Sequence, residues 1–576
     1  AGKRLDPVLE DLPLPPFFFS YADAAYKVFP PSVFETTDII MNRRKVVRFL
    51  ATSPEVVPIA RDAIGVTETF EADVPYGRRV LIETGESVQL PPRWVHFDIE
   101  NDPTGGMPDP DLADRQIISI ATKTNDGEER FFCRANEAEL LEEFRAYVTD
   151  FPVLTTFNGN HYDWPMLLGR SRAVGMDYPW WENHIHIDLL AVYKFVLQKR
   201  QDKYSLEHIA KEEHLTARKR FIEIPRLMEY FNSFLDSGDT TLKDYNLDDV
   251  RFMHELDHKL SMVPIVFNIA AISHTTVKEL LRVHEKSKKE FNVSVAVDGL
   301  ILYLSARRTP RLVWKTKEYR ELTEEEEEKR KEKFAGAHVI EPAPGVHKNV
   351  ALLDVNSLYP TVIQSLNVGP ETYIAEGSPE AVDFVSQFDT VPEVRARLIR
   401  SPIGRGYFRK TPKSVFVEAL EKVLAVRREY KAKMKATNPS DPEWKTAYAL
   451  DYAHKVLALS FYGVLGSDFS RYYNKDVAEN VTLTGQLVLK FLQSTLEGRG
   501  MKVVLGDTDS VAFVMPDMSV ETAGKIAEEL TAEAQQYLQK LSGVLPTLLR
   551  LEIDKLCSAM YIQPSEKGDT GTKKRY

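Results

Sequence analysis

Carboxylates recur in short patterns along the first half of the chain. Asp98 and Glu100 stand two residues apart in the apolar run WVHFDIE, so a β-strand there places both on one face. Asp163 follows the loop NGNHY and opens an apolar helical run, and Asp249 lies one helical turn after Tyr245. Carboxylates gathered from separate elements repel one another unless they bind cations. Two divalent ions held about 4 Å apart by such oxygens can generate hydroxide and stabilise a leaving alkoxide, which predicts nuclease-like chemistry with the Tyr245 hydroxyl orienting the water.

A second set of carboxylates lies in the C-terminal half. The apolar run NVALLDV predicts a buried strand that ends at Asp354, and KVVLGDTDSVAFVM predicts a hairpin that presents Asp509 at its tip. Two carboxylates on neighbouring strands can bridge two Mg²⁺ ions. The turn after Asp354 offers the backbone N–H groups of three residues to phosphates, and these are Ser357, Leu358 and Tyr359.

Basic residues at helical spacing lie between these two runs. Lys455, Leu459 and Tyr462 stand at i, i+4 and i+7, and Arg427 and Lys431 stand at i and i+4. An arginine fork and a lysine point charge on one helical face can grip phosphate. Taken alone, such a pattern is as typical of a solvated basic helix face.

The elements that must position these residues follow from the apolar periodicity. Residues 1–92 mix short apolar runs with proline, which favours a small α+β domain. Strand and helix patterns then alternate, with a helix from about Glu137, which predicts an α/β domain. Residues 265–300 and 415–462 are helical in pattern. The run ELTEEEEEKRKEKF is interpreted as a solvated helix or linker face.

Composition limits the class of protein. The chain has 576 residues, of which 43% are hydrophobic and 28% charged, and no apolar run is long enough to cross a membrane. Its two cysteines, Cys133 and Cys557, form no zinc spacing or disulfide framework, which favours a reducing intracellular compartment. The net charge is −11, but residues 405–435 hold ten Lys or Arg against three Asp or Glu. An acidic protein with such a basic stripe can still bind nucleic acid.

The first carboxylate set resembles a known family. FDIE, N-x-x-x-Y-D and Y-x-x-x-D, in this order, are similar to the three motifs of the proofreading 3′–5′ exonuclease of family B DNA polymerases, and YSLEHIAKE and HIDLL are similar to the same domain. The resemblance implies that four residues ligate metal, that Tyr245 orients the water and that Asn158 contacts DNA. The four ligands are Asp98, Glu100, Asp163 and Asp249.

The second set resembles the polymerase motifs of that family. LLDVNSLYPTVI is similar to D-x-x-S-L-Y-P, VLGDTDSVAF to Y-G-D-T-D-S, and KVLALSFYGVLG to K-x-x-x-N-S-x-Y-G. The resemblance implies that Asp354 and Asp509 are the principal metal ligands, that Asp507 supports them and that Tyr359 packs under the sugar. It further implies nucleotide contacts from the following residues: Ser357, Leu358, Arg427, Lys431, Lys455, Tyr462 and Gly463. Leu459 replaces the asparagine of the family, which puts affinity or fidelity at the nucleotide site in question.

Two further stretches resemble DNA-contacting parts of the family. FAGAH, around Gly336, stands where Y-x-G-G is usual, and the final KKRY matches the primer-gripping K-K-x-Y through Lys573, Lys574 and Tyr576. In the family a thumb domain follows this motif. We therefore expect the thumb on a second polypeptide, with a natural split, an intein junction and a truncation as open explanations.

The resemblance implies a multi-domain α/β and α+β protein: an RNase H-like exonuclease domain and a polymerase palm with an antiparallel sheet and helical fingers. The expected order is an N-terminal domain (1–92), exonuclease (93–265), helical connection and linker (266–345), first palm part (346–400), fingers (401–465) and second palm part (466–576).

The expected cofactors are two Mg²⁺ ions at each site, with Mn²⁺ as the alternative. The expected partners are primer–template DNA, deoxynucleoside triphosphates and the thumb polypeptide, with a sliding clamp as a further candidate and no membrane. The expected location is the cytoplasm, at the nucleoid.

Three other functions stay open from the sequence. One is an exonuclease whose polymerase half is degenerate, for which Leu459 is the support. The second is a protein-primed viral polymerase, since the 101-residue interval from Asp354 to Lys455 leaves room for a modest insertion. The third is a non-catalytic scaffold of a replication complex.

Overall fold

The computed structural model describes residues 14–176, 179–281, 290–317, 339–378, 387–388 and 390–564. The chain divides into two compact units. The first unit comprises Ala1–Glu83, Leu300–Ala425 and Leu457–Tyr576, and the second comprises Thr84–Gly299 and Val426–Val456. In the part of the chain described, no helix is both long and apolar enough to cross a membrane.

The first unit begins with a four-stranded antiparallel sheet in the order β2-β3-β1-β4. The central strand FFFSY is buried on both faces, as its continuous apolar run predicts. The chain returns to this sheet at Trp314, whose carbonyl accepts a hydrogen bond from the Glu71 N–H at 3.0 Å. The bounds are β1 Phe17–Tyr21, β2 Phe34–Met41, β3 Arg44–Leu50 and β4 Thr69–Phe70, with helices α1 Ala22–Ala25, α2 Val56–Ile64 and α3 Tyr76–Thr84.

The second unit is built on a mixed five-stranded sheet in the order β7-β6-β5-β8-β9, in which β5 pairs antiparallel with β6 and parallel with β8. The helix predicted from Glu137 begins there because the Asn136 side chain caps it. The strands are β5 Val95–Asn101, β6 Ile117–Thr124, β7 Glu129–Phe132, β8 Val153–Thr156 and β9 Ile185–Asp188. The helices are α4 Glu137–Val148, α5 Asp163–Ala173, α6 Leu189–Ala191, α7 Leu206–Glu212, α8 Leu227–Ser237, α9 Thr241–Leu260, α10 Met262–Ile272 and α11 Val277–Leu280, and α12 Val293–Ala306 leads into the first unit.

The rest of the first unit contains an antiparallel five-stranded sheet in the order β10-β15-β16-β11-β17 and a three-stranded sheet in the order β12-β14-β13. The strands are β10 Val339–Ile340, β11 Gly345–Val355, β12 Tyr373–Ile374, β13 Leu398–Arg400, β14 Tyr407–Arg409, β15 Val503–Asp507, β16 Ser510–Val514 and β17 Leu551–Ile562. The helices are α13 Leu358–Ser365, α14 Pro392–Arg397, α15 Val415–Ala436, α16 Pro442–Leu465, α17 Lys475–Gly498 and α18 Val520–Ser542; the middle of the α15–α16 hairpin falls in the second unit.

Candidate active sites

The strand β5 presents two carboxylates on one face. Val95, Phe97 and Ile99 are buried in the sheet core, and Asp98 and Glu100 alternate with them on the opposite, largely buried face. Helix α9 brings Asp249 to this face, and one carboxylate oxygen from each of Asp98, Glu100 and Asp249 lies within 4.8 Å of the other two.

Asp163 joins this group from the first turn of α5. Its Oδ1 accepts a hydrogen bond from the Ile99 N–H at 3.3 Å, which ties the helix start to β5. Burial raises the pKa of Asp163 to about 7, and burial together with the nearby charge of Asp249 raises the pKa of Glu100 to about 8. Burial, followed by the charges of Asp249 and Asp163, also raises the pKa of Asp98 well above its usual range. The folded chain therefore holds too much negative charge here for the metal-free site to be fully ionised at neutral pH. We call these four carboxylates the first acidic site.

Lys219 is a partner of this site that the sequence motifs did not reveal. Its Nζ lies 2.6 Å from Asp249 Oδ2 and 4.6 Å from the centre of the Tyr245 ring. Burial disfavours the charged amine, but contact with the Asp249 carboxylate holds the pKa of Lys219 above its usual value. Burial, and then the charge of Glu100, raises the pKa of Tyr245 to about 12, so both side chains are protonated at neutral pH.

Two polar residues, Asn246 and Asp188, hold parts of the first acidic site in place through hydrogen bonds. Asn246 Nδ2 donates to Asp98 Oδ2 at 2.7 Å, and Asn246 Oδ1 accepts from the Ser119 hydroxyl. Asp188 at the end of β9 accepts from the N–H groups of Asn158 and Asn160, and this holds the loop before α5. The position of Asn246 beside Tyr245 was the only sequence signal for its role, whereas Asp188 lies in the HIDLL stretch noted above.

A second acidic site lies on the five-stranded sheet of the first unit. Asp354 is the penultimate residue of β11 and lies opposite Ser510 of β16, and the Val355 N–H donates to the Asp509 carbonyl at 2.7 Å. The tight turn between β15 and β16 is closed by Thr508, whose φ is +57°, and by a hydrogen bond from the Thr508 hydroxyl to Asp507. The structure therefore places Asp509, in the β15–β16 turn, beside the Asp354 end of β11.

The strand β17 adds two carboxylates that sequence reasoning missed. Glu552 pairs with Asp354 across the β11–β17 ladder, and Asp554 follows two residues later. Burial first, then the charges of Asp509, Asp554 and Glu552, raise the pKa of Asp354 to about 6. Burial also raises the pKa of Asp509. The alternation of acidic and apolar residues in LEIDKL was the available signal, since period-2 spacing puts Glu552 and Asp554 on one face.

The chain after Asp354 turns sharply into a helix. Ser357 has a φ of +50°, in the left-handed region, and precedes α13, which begins at Leu358. The Tyr359 ring lies 5.0 Å from the Tyr462 ring, and burial raises the pKa of Tyr359 to about 12, with a contribution from the charge of Tyr462. A Cβ on Gly485 of α17 would stand 3.1 Å from the Tyr359 ring, so this glycine permits the close approach of the two helices.

The predicted phosphate-binding residues of the α15–α16 hairpin belong to the second unit. Arg427 Nε donates to Asp451 at 3.1 Å, Lys431 is exposed, and the Lys455 Nζ lies 5.1 Å from the Tyr452 ring. Leu459, in the first unit, is 55% exposed and Gly463 borders open space. The predicted DNA contacts Gly336, Lys573, Lys574 and Tyr576 lie outside the described residues.

The residues of both sites fit divalent cations. Each site gathers hard carboxylate oxygens whose mutual repulsion and burial raise their pKa values, and cations relieve such repulsion. The first acidic site would hold cations through Asp98, Glu100, Asp249 and Asp163. The second would use Asp354 and Asp509.

Each acidic site lies in a region of the chain that matches a known family. Residues 301–567 match DNA polymerase family B and residues 95–261 match the RNase H superfamily; such domains are generally dependent on divalent metals. A DNA polymerase of Pyrococcus glycovorans is 27% identical over 91% of this chain and 65% of its own length. A DNA polymerase of Archaeoglobus fulgidus is 25% identical over 89% of this chain and 64% of its own length. The chain thus spans slightly less than two thirds of these curated relatives.

The fold has a counterpart among solved structures. The family B DNA polymerase from the hyperthermophilic archaeon Pyrobaculum calidifontis superposes with a TM-score of 0.69 at 23% identity, covering 97% of this chain and 76% of that chain. The predicted combination of an RNase H-like domain with a polymerase domain is confirmed by the two family matches and this fold.

Proposed function

We propose that this chain, which carries the polymerase domain of the family B DNA polymerases after an RNase H-like domain, extends a DNA primer on a template and excises nucleotides from the primer 3′ end. The observation that supports this most strongly is the presence of two acidic sites on two different sheets. Synthesis forms a phosphodiester bond when the primer 3′-hydroxyl attacks a nucleoside triphosphate and displaces pyrophosphate, whereas 3′–5′ excision hydrolyses that bond by attack of water and releases a monophosphate. The attacking and leaving groups differ, so two separate acidic sites suit the two reactions.

Divalent cations bound at either site would acidify the attacking group and balance the charge that develops on phosphate. In the first acidic site, Asp98, Glu100, Asp249 and Asp163 would hold these cations. Because its pKa is raised to about 12, the Tyr245 hydroxyl keeps its proton and can donate a hydrogen bond to an attacking water. The Lys219 ammonium keeps Asp249 and the Tyr245 ring in place and offers positive charge beside the cleaved phosphate.

At the second acidic site, Asp354 and Asp509 face the position of a primer terminus, with Asp507 in support. The adjacent rings of Tyr359 and Tyr462, tilted by 39° to one another, would form the floor under the sugar and base of the incoming nucleotide, and Tyr359 would exclude a 2′-hydroxyl. The N–H groups of Ser357, which precedes α13, and of Leu358 and Tyr359, its first two residues, can bind phosphate oxygens. Arg427, Lys431 and Lys455 would bind the triphosphate; Asp451 already orients the Arg427 guanidinium.

Several finer expectations stay predictions. These are the six domain boundaries, the choice of Mg²⁺ over Mn²⁺, the thumb polypeptide, the sliding clamp and the location at the nucleoid. The metal ligands and nucleotide contacts at both sites are proposals that the variants below test.

The test is a primer-extension and degradation assay with one variant for each site. Asp354→Ala should lose extension and keep degradation of single-stranded primer, and Asp98→Ala with Glu100→Ala should do the reverse. The exposed carboxylate changes Asp111→Ala and Glu528→Ala are matched controls that should alter neither activity. Degradation without extension in the parent chain would instead support an exonuclease whose polymerase half is degenerate. The absence of both activities would support a non-catalytic scaffold of a replication complex.

A further inference from the structure

Phe221 is 91% exposed although it lies in a segment that is bound tightly to the protein. An exposed apolar ring is ordinary in a mobile loop, where it has no fixed direction. Here its neighbours are fixed one after another to helix α9, the same helix that carries Tyr245 and Asp249.

The anchors of this segment are charged and specific. The backbone N–H groups of Thr216 and Ala217 donate to the two carboxylate oxygens of Glu255 at 2.6 and 2.8 Å. The Lys219 Nζ donates to Asp249 at 2.6 Å, and the Arg220 N–H donates to Asp248 at 3.0 Å. These contacts anchor the segment 216–222 to α9.

The anchor on the other side of Phe221 is apolar. Ile222 is buried in a cluster that includes Leu242 and Tyr245. Phe221 is thus held between Arg220, whose N–H is tied to α9, and Ile222, which packs under that helix. The backbone at Phe221 is therefore ordered, at a cost in conformational entropy, although the ring covers nothing in the described chain, which favours a ligand.

The position and charge of the segment indicate which ligand. The Cα atom of Phe221 is within about 7 Å of that of Lys219, because two residues cannot span more. Lys219 touches the first acidic site, and Arg218 adds an exposed cation two residues before Arg220. The Arg220 guanidinium is also exposed but pairs with the Asp244 and Asp248 carboxylates at 3.4 and 3.6 Å. Positive charge that follows a phosphate backbone, combined with an aromatic face that stacks on bases, is the usual arrangement for binding single-stranded nucleic acid.

We propose that Phe221 stacks on a base of the single-stranded DNA end that enters the first acidic site. The proposal rests on the proposed exonuclease function for the identity of the strand, and the ring would act by positioning it. Base–aromatic stacking tolerates any sequence, which suits a site that must accept every primer end.

The first measurement is equilibrium binding of a fluorescent single-stranded oligonucleotide, followed by anisotropy in the Asp98→Ala, Glu100→Ala background. Adding Phe221→Ala should weaken binding about 5- to 150-fold, the range given by loss of one base–aromatic stack. Phe221→Trp should bind at least as tightly as the parent, whereas Phe221→Leu should stay weak because it retains apolar area without a π-face. Val520→Ala, a matched change at an exposed apolar residue in α18, should have no effect.

The second measurement is single-turnover degradation of the same oligonucleotide by the chain with intact carboxylates. Phe221→Ala should raise the KM and leave the maximal rate within about twofold of the parent, since the ring touches the strand and not the reacting phosphate. Binding by Phe221→Ala or Phe221→Leu within about twofold of the parent would overturn the proposal, and would leave a protein partner or no ligand for the ring. If the parent binds single-stranded DNA through Phe221 but degrades nothing, the exonuclease function fails while the stacking role stands.

Discussion

At the scale of single residues, the main feature of the first acidic site is the repulsion between its carboxylates. Four carboxylates are drawn together by β5, α5 and α9, and Lys219 is the cation that contacts them in the described part of the chain. With the pKa of Glu100 near 8 and that of Asp163 near 7, the metal-free protein at neutral pH retains protons that divalent cations must displace. Lys219 lowers this repulsion and also fixes Tyr245.

Replacing Lys219 should therefore impair excision and spare synthesis. We expect Lys219→Ala to slow degradation of single-stranded primer by about 10- to 100-fold, the usual effect of removing a residue that orients metal ligands. Lys219→Arg should recover part of the rate because it keeps the charge. Equal degradation rates for the alanine variant and the parent, measured in single turnovers, would contradict this role.

Leu459 permits a second test at this scale. Because its side chain is 55% exposed, it is not packed in a core that an asparagine would disrupt. Leu459→Asn should change the free energy of unfolding by less than about 0.5 kcal/mol and lower the KM for the incoming nucleotide. Denaturant unfolding and incorporation over a nucleotide series measure the two effects. A clear loss of stability with a higher KM would show that Leu459 is needed for packing.

At the scale of elements, the second acidic site depends on helices that approach closely. Gly485 of α17 faces Leu358 and Tyr359 at the start of α13, and any added methyl group would stand 3.1 Å from both side chains. The position of the Tyr359 ring is thus set by the absence of a side chain on another helix.

Gly485→Ala should displace Tyr359 and lower primer extension, while degradation of single-stranded primer stays unchanged. Overpacking of this kind costs about 1–3 kcal/mol of stability. The matched control is Gly524→Ala in α18, where an added Cβ meets nothing within 4 Å and where alanine should stabilise the helix by up to about 1 kcal/mol. Identical extension rates for both variants would mean that Tyr359 adapts without cost.

The sequence predicts elements where local patterns are strong. The alternation around Asp98 predicted β5, and the G-D-T-D turn predicted the β15–β16 hairpin. The sequence did not predict that β17 would pair with β11 and bring Glu552 to Asp354. The two strands are about 200 residues apart, and the local sequence of a strand does not indicate which distant strand it pairs with. Lys219 was missed for a similar reason, since its partner Asp249 lies 30 residues later on another element.

At the scale of the whole molecule, the two compact units each hold one acidic site, and the metal-free forms of both sites carry raised pKa values. A carboxylate whose pKa is higher in the folded than in the unfolded chain destabilises the fold as pH rises through that interval. Its contribution is favourable below its ordinary pKa near 4.5 and is lost as pH approaches about 8 for Glu100.

Saturating Mg²⁺ should therefore raise the melting temperature more at about pH 9 than at about pH 6, by a few degrees. The cation compensates a repulsion that protons already relieve at the lower pH. Asp98→Asn with Glu100→Gln should reduce this difference, because these changes remove two of the four ionisable carboxylates at the first acidic site. The same increase at both pH values in differential scanning fluorimetry would contradict the assigned pKa directions.

The central claim is that one chain both adds and excises nucleotides through separate sites, and template-dependent conversion of a deoxynucleoside triphosphate to the monophosphate tests it most directly. Given primer–template and only the next correct nucleotide, the parent chain should release monophosphate continuously as it incorporates and removes the same residue. Asp354→Ala should release none because nothing is incorporated, and Asp98→Ala with Glu100→Ala should release none because nothing is excised. Continued monophosphate release by either variant at the parent rate would contradict the claim.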